Sequence, residues 1–190
     1  VYSVHRYVVS SISNLVAAIL GNTEALFGQM IARDEQDAIK RDVPMYDLMS
    51  KMLSTVFFFT CIILITPFVS LYTGGISDID YYQPLFATLL CLAEYVYCTS
   101  LTYNNMIMAA GHIKQTQWIS IAEAIINIVL SLALVKWIGI IGVAVGTLIA
   151  FAFNTVANIV YMRKHIFDMS FGWIIKVYLV NLASGILATC

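Results

Sequence analysis

Six long apolar runs limit what this chain can fold into more than any other feature of its sequence. Most are close to the roughly 20 residues that a helix needs to cross a hydrocarbon layer of about 30 Å. They are too long for barrel strands and lack the alternation of barrel strands, and an unpaired backbone cannot cross lipid. The sequence therefore predicts an all-α, polytopic transmembrane helix bundle of about six spans. The apolar segments are approximately 4–32, 52–72, 84–110, 116–137, 142–162 and 171–190.

Charge is scarce outside one short stretch. Only 11% of the 190 residues are charged, against roughly 25% in a soluble domain. Nine of the charged residues fall between Arg33 and Lys51. This pattern excludes a soluble enzyme, because the remaining charges are too few to coat an apolar core of this size. The net charge of -1 offers no basic field for nucleic acid, so nucleic-acid binding is excluded as well.

The positions of Lys and Arg predict the orientation in the membrane, because positive charge resists translocation. Loops 33–51, 111–115 and 163–170 are predicted to be cytoplasmic, and loops 73–83 and 138–141 to lie outside. The outer side has Lys136 and, at the outer end of the first segment, Arg6. The cytoplasmic loops hold Arg33, Lys40, Arg41, Lys51, Lys114, Arg163 and Lys164.

The mixed-charge stretch 33–51 is predicted to be a cytoplasmic connector within a single membrane domain spanning residues 1–190. Such runs are usually solvated, and Pro44 is expected to break or start a helix there. A partner-binding role for the connector is the alternative. The chain opens at Val1 and stops at Cys190 inside an apolar run, so we expect it to be part of a longer polypeptide.

Polar residues recur at steps of three and four inside three of the segments, which places them on one face of each helix. Each of these faces carries one acid: Glu24, Glu94 or Glu123. We expect the three faces to line a common cavity. The first face is Ser3, Arg6, Ser10, Ser13, Ala17, Gly21, Glu24 and Gly28, bordered by Asn14. The others are Glu94, Cys98, Thr102 and Asn105, and Thr116, Ser120, Glu123, Asn127 and Ser131.

The energetics of these groups leave two interpretations open. An ionised Glu at the bilayer centre costs about 2.5 to 3.5 kcal/mol, which ten or more apolar residues of the same span can offset. The polar groups are either ordinary interhelical hydrogen bonds, worth about 0.6 kcal/mol each, or cavity groups that couple to protons or sodium. Arg6 stays charged, so it is either a phosphate contact or a side chain reaching the outer surface. The candidate cavity residues are Arg6, Ser10, Ser13, Asn14, Glu24, Glu94, Thr102, Asn105, Glu123 and Asn127.

The fifth segment has small residues at four-residue spacing, at Gly142, Gly146 and Ala150, which is typical of close helix packing. The sequence has no GxSxG, HExxH or P-loop pattern, so we expect neither an enzyme nor a cofactor. The cysteines have no zinc-site spacing, so we expect no metal site and interpret them as lipid-facing or packed thiols. The cysteines are Cys61, Cys91, Cys98 and Cys190.

Two stretches of the chain resemble a known transporter family. Residues 110–154 contain Ala110 and Gly111 before a short basic loop, the Glu123 and Asn127 pair, and GVAVGT from Gly142. This stretch and its outer turn, residues 139–142, resemble the C-terminal half of polysaccharide biosynthesis transporters. These are oligosaccharide and O-antigen flippases of the MATE-like superfamily. The opening VYSVHRYVVSSISNLVAAI is similar to the helix that begins the same region.

The resemblance implies two six-helix lobes around a central cavity, of which this chain would be most of the second. It implies a bacterial cytoplasmic membrane protein that turns a lipid-linked oligosaccharide between leaflets. Its partners would be that lipid, membrane lipid and an N-terminal lobe of the same polypeptide. The alternatives are a drug or metabolite exporter of the same superfamily and a membrane glycosyltransferase or polymerase. The latter would need acids, arginines or histidines in outer loops, which here offer chiefly Asp78 and Asp80.

Overall fold

The computed structural model describes residues 2–20, 23–73 and 83–189. Within these ranges the regular structure is entirely α-helical, which confirms the expected all-α fold. Gly21, Asp78, Asp80 and Cys190 lie outside the described residues, as does most of the predicted outer loop 73–83. The helices are α1 (Tyr2–Leu20), α2 (Thr23–Ala32), α3 (Gln36–Tyr72), α4 (Pro84–Ala109), α5 (Ile113–Ile138), α6 (Ile140–His165) and α7 (Phe171–Thr189).

Six stretches of the described chain are long and apolar enough to cross a membrane. The first, Tyr2–Ala32, comprises α1 and α2, and each later helix supplies one more. Helices are the form these apolar segments must take in lipid, because they satisfy every backbone donor and acceptor within the segment. The chain is therefore a multi-pass membrane protein with about six spans.

The second span is much longer than the sequence predicts. The expectation that Pro44 breaks or starts a helix is wrong, because α3 begins at Gln36 and runs through both Pro44 and Pro67. The expectation of a solvated stretch is also wrong in part. Ile39 and Val43 are buried at four-residue spacing, and Asp47 and Lys51 continue the same buried face. The helix extends into the charged stretch because this face packs on the bundle.

Three short turns lie together at one end of the bundle, here called the three-turn end. They are residues 33–35, 110–112 and 166–170. A cavity of about 210 Å³ is lined by Ala110, His112 and Ile166 and by residues of the helices on either side of 33–35. At the opposite end, α5 and α6 are joined by Gly139 alone, whose φ of +60° is a conformation that favours glycine. The three-turn end brings together parts of the three loops that the sequence groups as basic, 33–51, 111–115 and 163–170.

The core consists of two apolar clusters along the bundle, with α4 at its centre. One cluster joins α1, α3, α4 and α6 around Phe58, Phe86 and Tyr95. The other lies toward the three-turn end and also draws on α2 and α7. Cys61, Cys91 and Cys98 are buried, and the Cys61 and Cys91 sulfurs are 3.5 Å apart between α3 and α4. These three thiols are therefore packed and do not face lipid.

Helices α5 and α6 form a tightly packed pair. A Cβ added at Gly142 would lie 2.6 Å from the backbone carbonyl carbon of Leu134, and one at Gly146 would lie 2.7 Å from Ser131 Oγ. Ala150 is completely buried on the same face of α6. Within the described chain no residue of α5 itself is buried, so α5 is held mainly by α6.

We expect Gly142→Ala to loosen the α5 and α6 pair. The new methyl group would overlap the Leu134 backbone, and such overpacking costs about 1 to 3 kcal/mol. Gly172→Ala in α7 is the matched control, because its added Cβ would have no neighbour closer than 3.9 Å. Denaturant unfolding in detergent measures both variants. Equal stability of the two variants would contradict the close packing of α5 on α6.

Candidate functional site

An ion pair joins α1 to α4 in the interior of the bundle. The Arg6 guanidinium contacts Glu94 Oε1, and the Ser13 hydroxyl donates to Glu94 Oε2 at 2.6 Å. The Glu94 side chain is only 3% exposed, whereas that of Arg6 is 36% exposed. Both carboxylate oxygens are thus engaged, which is the condition under which a buried acid is tolerated. The guanidinium keeps part of its surface open.

A polar groove of about 730 Å³ lies between the end of α1, α2 and the second half of α4. Its walls include the small residues Ala17, Ala18 and Gly28, which leave space between the helices. The side-chain amide of Asn105 on α4 donates to the Thr23 hydroxyl on α2 at 2.7 Å. Glu24 is an exposed acid on the same wall. The groove therefore presents donors and acceptors beside apolar helix faces.

The polar residues of α5 turn toward α6 instead of toward α1. The Asn154 amide donates to Glu123 Oε2 at 2.7 Å, and the Asn158 amide donates to Asn154 Oδ1 at 2.7 Å. Asn127 accepts hydrogen bonds from Ser131 at 3.1 Å and from Thr147 at 3.4 Å. We call this set of contacts the α5/α6 polar ladder. It provides one carboxylate oxygen of Glu123 with a hydrogen-bond donor within the same pair of helices.

Tyr97 on α4 packs on α6. Its ring lies 5.3 Å from the ring of Phe151, measured between centroids. The Tyr97 side chain is also exposed, so α4 has an open position beside α6.

The structure brings some of the candidate cavity residues together and separates others. Arg6, Ser13 and Glu94 are in direct contact, whereas Ser10 donates to the backbone oxygen of Tyr7 in its own helix. Asn14 is exposed on α1. Thr102 is buried, and its hydroxyl has no hydrogen-bond partner in the described part of the chain.

The three acids do not meet in the single hollow that the sequence predicts. Glu94 is in the ion pair, Glu24 is on the groove and Glu123 is in the α5/α6 polar ladder. The reason is the position of α5, which packs on α6 and barely touches α4. The polar faces of α1 and α4 do contact each other, through Arg6, Ser13 and Glu94.

Sequence reasoning missed a second buried ion pair, between Asp47 and Lys51 on α3. Both side chains are completely buried, and Lys51 also donates to the Tyr103 hydroxyl at 2.7 Å. Their separation of four residues on one helix face was an available signal. It was hidden because the charges around it suggested a solvated connector.

Comparison with known proteins identified no match. No family model, no curated protein and no solved structure matches the chain. Among the described residues there is also no group of three His, Cys, Asp or Glu side chains that could hold a metal ion. The fold and the buried charges therefore define the class as a multi-pass α-helical membrane protein. Its function has to be argued from the groove and the two ion pairs.

We expect Arg6→Ala to destabilise the protein more than the double variant Arg6→Ala with Glu94→Ala. The single change leaves a buried carboxylate with only Ser13 as a partner, and breaking a buried pair in this way costs up to about 3 to 5 kcal/mol. Because Arg6 is partly exposed, we expect the loss of unfolding free energy to lie at the lower end of this range. Unfolding in detergent compares the two variants. A single variant as stable as the double one would contradict a compensated buried charge at Glu94.

Proposed function

We propose that the protein is a transporter that carries a lipid-linked oligosaccharide across the cytoplasmic membrane of a bacterium for cell-surface polysaccharide synthesis. The observation that supports this most is the polar groove of about 730 Å³ in a bundle of membrane-spanning helices. Its size falls within the range of ligand pockets, about 300 to 1,000 Å³. The family resemblance of residues 110–154 supports the nature of the cargo.

The groove suits a hydroxyl-rich headgroup. Sugar hydroxyls both donate and accept, and the groove supplies the amide of Asn105, the hydroxyl of Thr23 and the carboxylate of Glu24. The small side chains of Ala17, Ala18 and Gly28 allow a ring to approach the helix backbones. A saccharide there would exchange its hydrogen bonds to water for hydrogen bonds to the protein, which keeps the cost of entering the bundle low.

Arg6 suits the phosphate groups that link a sugar to its lipid. It lies on α1, the helix that also forms one wall of the groove, and part of its guanidinium is exposed while it contacts Glu94. A guanidinium has five N–H donors in a planar fork, so it can contact a carboxylate and a phosphate oxygen at once. Glu94 would hold the guanidinium in place between transport cycles.

A different face of α1 suits the lipid chain. Two apolar grooves of about 540 and 400 Å³ lie between α1 and α3 and share Val8, Ile12 and Phe68. The residues Val8 and Ile12 lie on one side of the helix, whereas Arg6 and Ala17 lie on another. Helix α1 therefore has polar and apolar surfaces next to each other, as an amphiphilic cargo requires.

The transport step itself would be alternating access, in which the groove opens first to one side of the membrane and then to the other. A second, N-terminal lobe of the same polypeptide would close the groove on its open side. Glu24, Glu94 and Glu123 are the acids that would couple the movement to a proton or sodium gradient. Within this proposal the chain performs no bond-breaking chemistry.

One observation favours a second candidate, an exporter of organic cations from the same superfamily. Glu24 faces the groove, and within the described chain it makes no ion pair. An unpaired acid on a groove wall attracts a cation. The two candidates differ in the role of Glu24. A cation would need the negative charge of Glu24, whereas a neutral saccharide would need only its hydrogen bonds.

We expect Asn105→Ala to slow movement of a fluorescent lipid-linked oligosaccharide by about twofold to tenfold in vesicles that contain the whole protein. The variant removes the amide from the groove, and one such hydrogen bond is worth about 0.5 to 1.5 kcal/mol. Glu24→Gln keeps hydrogen-bonding capacity, so we expect a smaller loss from it. Glu35→Gln makes the same chemical change in an exposed turn and is the matched control.

The same vesicles separate the two candidates when a cationic dye replaces the saccharide. Dye export that is lost in Glu24→Gln, without movement of the saccharide by the unaltered protein, would favour the exporter. If neither compound moves, both candidates are wrong. Normal surface polysaccharide in cells that carry Arg6→Ala would contradict the phosphate contact.

A further inference from the structure

Helices α3, α4 and α7 meet around the buried pair of Asp47 and Lys51. Both side chains are 0% exposed and contact each other across one helical turn of α3. The Lys51 ammonium donates to Tyr103 on α4 and lies 4.8 Å from the centre of that ring. It also lies 4.5 Å from the centre of the Tyr178 ring on α7. One ammonium group thus connects three helices.

The acid of this pair is incompletely satisfied. Lys51 contacts Asp47 Oδ1, but the structure gives Asp47 Oδ2 no hydrogen-bond partner among the described residues. The same holds for the buried hydroxyls of Ser50 and Ser54, which follow on α3. A buried carboxylate oxygen without a donor is costly while the group is charged, and a proton on that oxygen removes the charge.

Helix α7 is joined to this pair through Tyr178. The helix packs chiefly on α3. The Tyr178 hydroxyl donates to Thr99 on α4 at 3.2 Å, and the Tyr178 ring lies beside Lys51. Nearer its end, α7 also packs on α3 at Gly185, where an added Cβ would lie 2.6 Å from the Phe59 ring. One part of the α7 interface therefore lies directly at the Lys51 ammonium.

We propose that Asp47 is a proton-binding site and that its protonation loosens α7 from α3 and α4. The proton comes from the aqueous phase and binds at Oδ2, and no other bond forms or breaks. The pair then changes from net neutral to net positive, which leaves the Lys51 ammonium in the interior without a counterion. Water entry between α7 and α3 relieves this cost. The proposal is independent of the cargo.

The groups that face Asp47 agree with this assignment. Lys51 on α3 contacts Asp47 directly, and Tyr103 on α4 and Tyr178 on α7 lie around the Lys51 ammonium. Helices α1 and α2 also pack on α3, and among their described residues none forms an ion pair or hydrogen bond with Asp47. No second acid is therefore present among these neighbours to balance Lys51 once Asp47 is protonated.

Hydrogen exchange of the α7 amides, measured on the whole protein in detergent, tests the proposal. Comparing variants at the same pH removes the intrinsic pH dependence of exchange. Asp47→Asn resembles the protonated acid. Near pH 8 we expect its α7 amides to exchange about tenfold faster than those of wild type, because the variant loses one charge-assisted hydrogen bond. The difference should shrink as the pH is lowered, because wild type then takes up the proton that Asp47→Asn mimics.

The double variant Asp47→Asn with Lys51→Met removes both charges. We expect its α7 exchange to stay slow and to differ from wild type only at low pH, where wild type loosens. If Asp47→Asn does not fold, the comparison between wild type and this double variant still decides the question. Asp168→Asn is the matched control. It removes the acid charge of an exposed ion pair, in which Asp168 lies 3.0 Å from Arg163 in the turn before α7. We expect the pH response of α7 exchange to stay intact in this variant.

Three results would overturn the proposal. One is an α7 exchange rate of Asp47→Asn equal to that of wild type near pH 8, because the pair would then not hold α7. Another is a constant difference between the two proteins across the whole pH range, because Asp47 would then take up no proton. The third is a double variant whose α7 exchanges as fast as that of Asp47→Asn.

Discussion

Compensation of charge inside a membrane-spanning bundle is the constraint on which this structure depends. A lone charge in the interior is costly, whereas a paired and hydrogen-bonded one is tolerated. The chain contains two such pairs, Arg6 with Glu94 and Asp47 with Lys51, and each contacts α4. Helix α4 is accordingly the most buried of the candidate spans. The pairs hold α1, α3 and α7 in defined positions around it.

The arrangement of faces around α4 has functional consequences. Helices α1 and α2 border the polar groove together with α4, whereas α1 and α3 enclose apolar grooves on another side. Helices α5 and α6 pair polar groups with each other in the α5/α6 polar ladder. Polar surface therefore remains open at the groove and at the exposed part of Arg6, where the proposed transport function would use it. The proton site proposed at Asp47 belongs to the contact of α3 with α4 and α7.

The sequence predicted part of the candidate site, for identifiable reasons. The three- and four-residue steps of α1 and α4 correctly indicated polar faces, and the contact of Arg6 and Ser13 with Glu94 joins those faces. The partner of Glu123 could not be predicted, because periodicity gives the face of a helix and not its neighbour. Asp47 and Lys51 were assigned to a solvated connector because hydropathy counts charges without regard to whether they are paired.

The sequence alone determined that the chain is all-α, that about six segments cross the membrane, and approximately where most of them end. These are local properties, since each apolar segment must satisfy its own backbone hydrogen bonds in lipid whatever surrounds it. Only the tertiary structure decided that α3 extends to Gln36, that Asp47 and Lys51 lie inside the bundle, and that Glu24, Glu94 and Glu123 lie apart. Those outcomes depend on which helix faces meet, because a charge is stabilised by a partner that is close in space and not by its neighbours in the sequence.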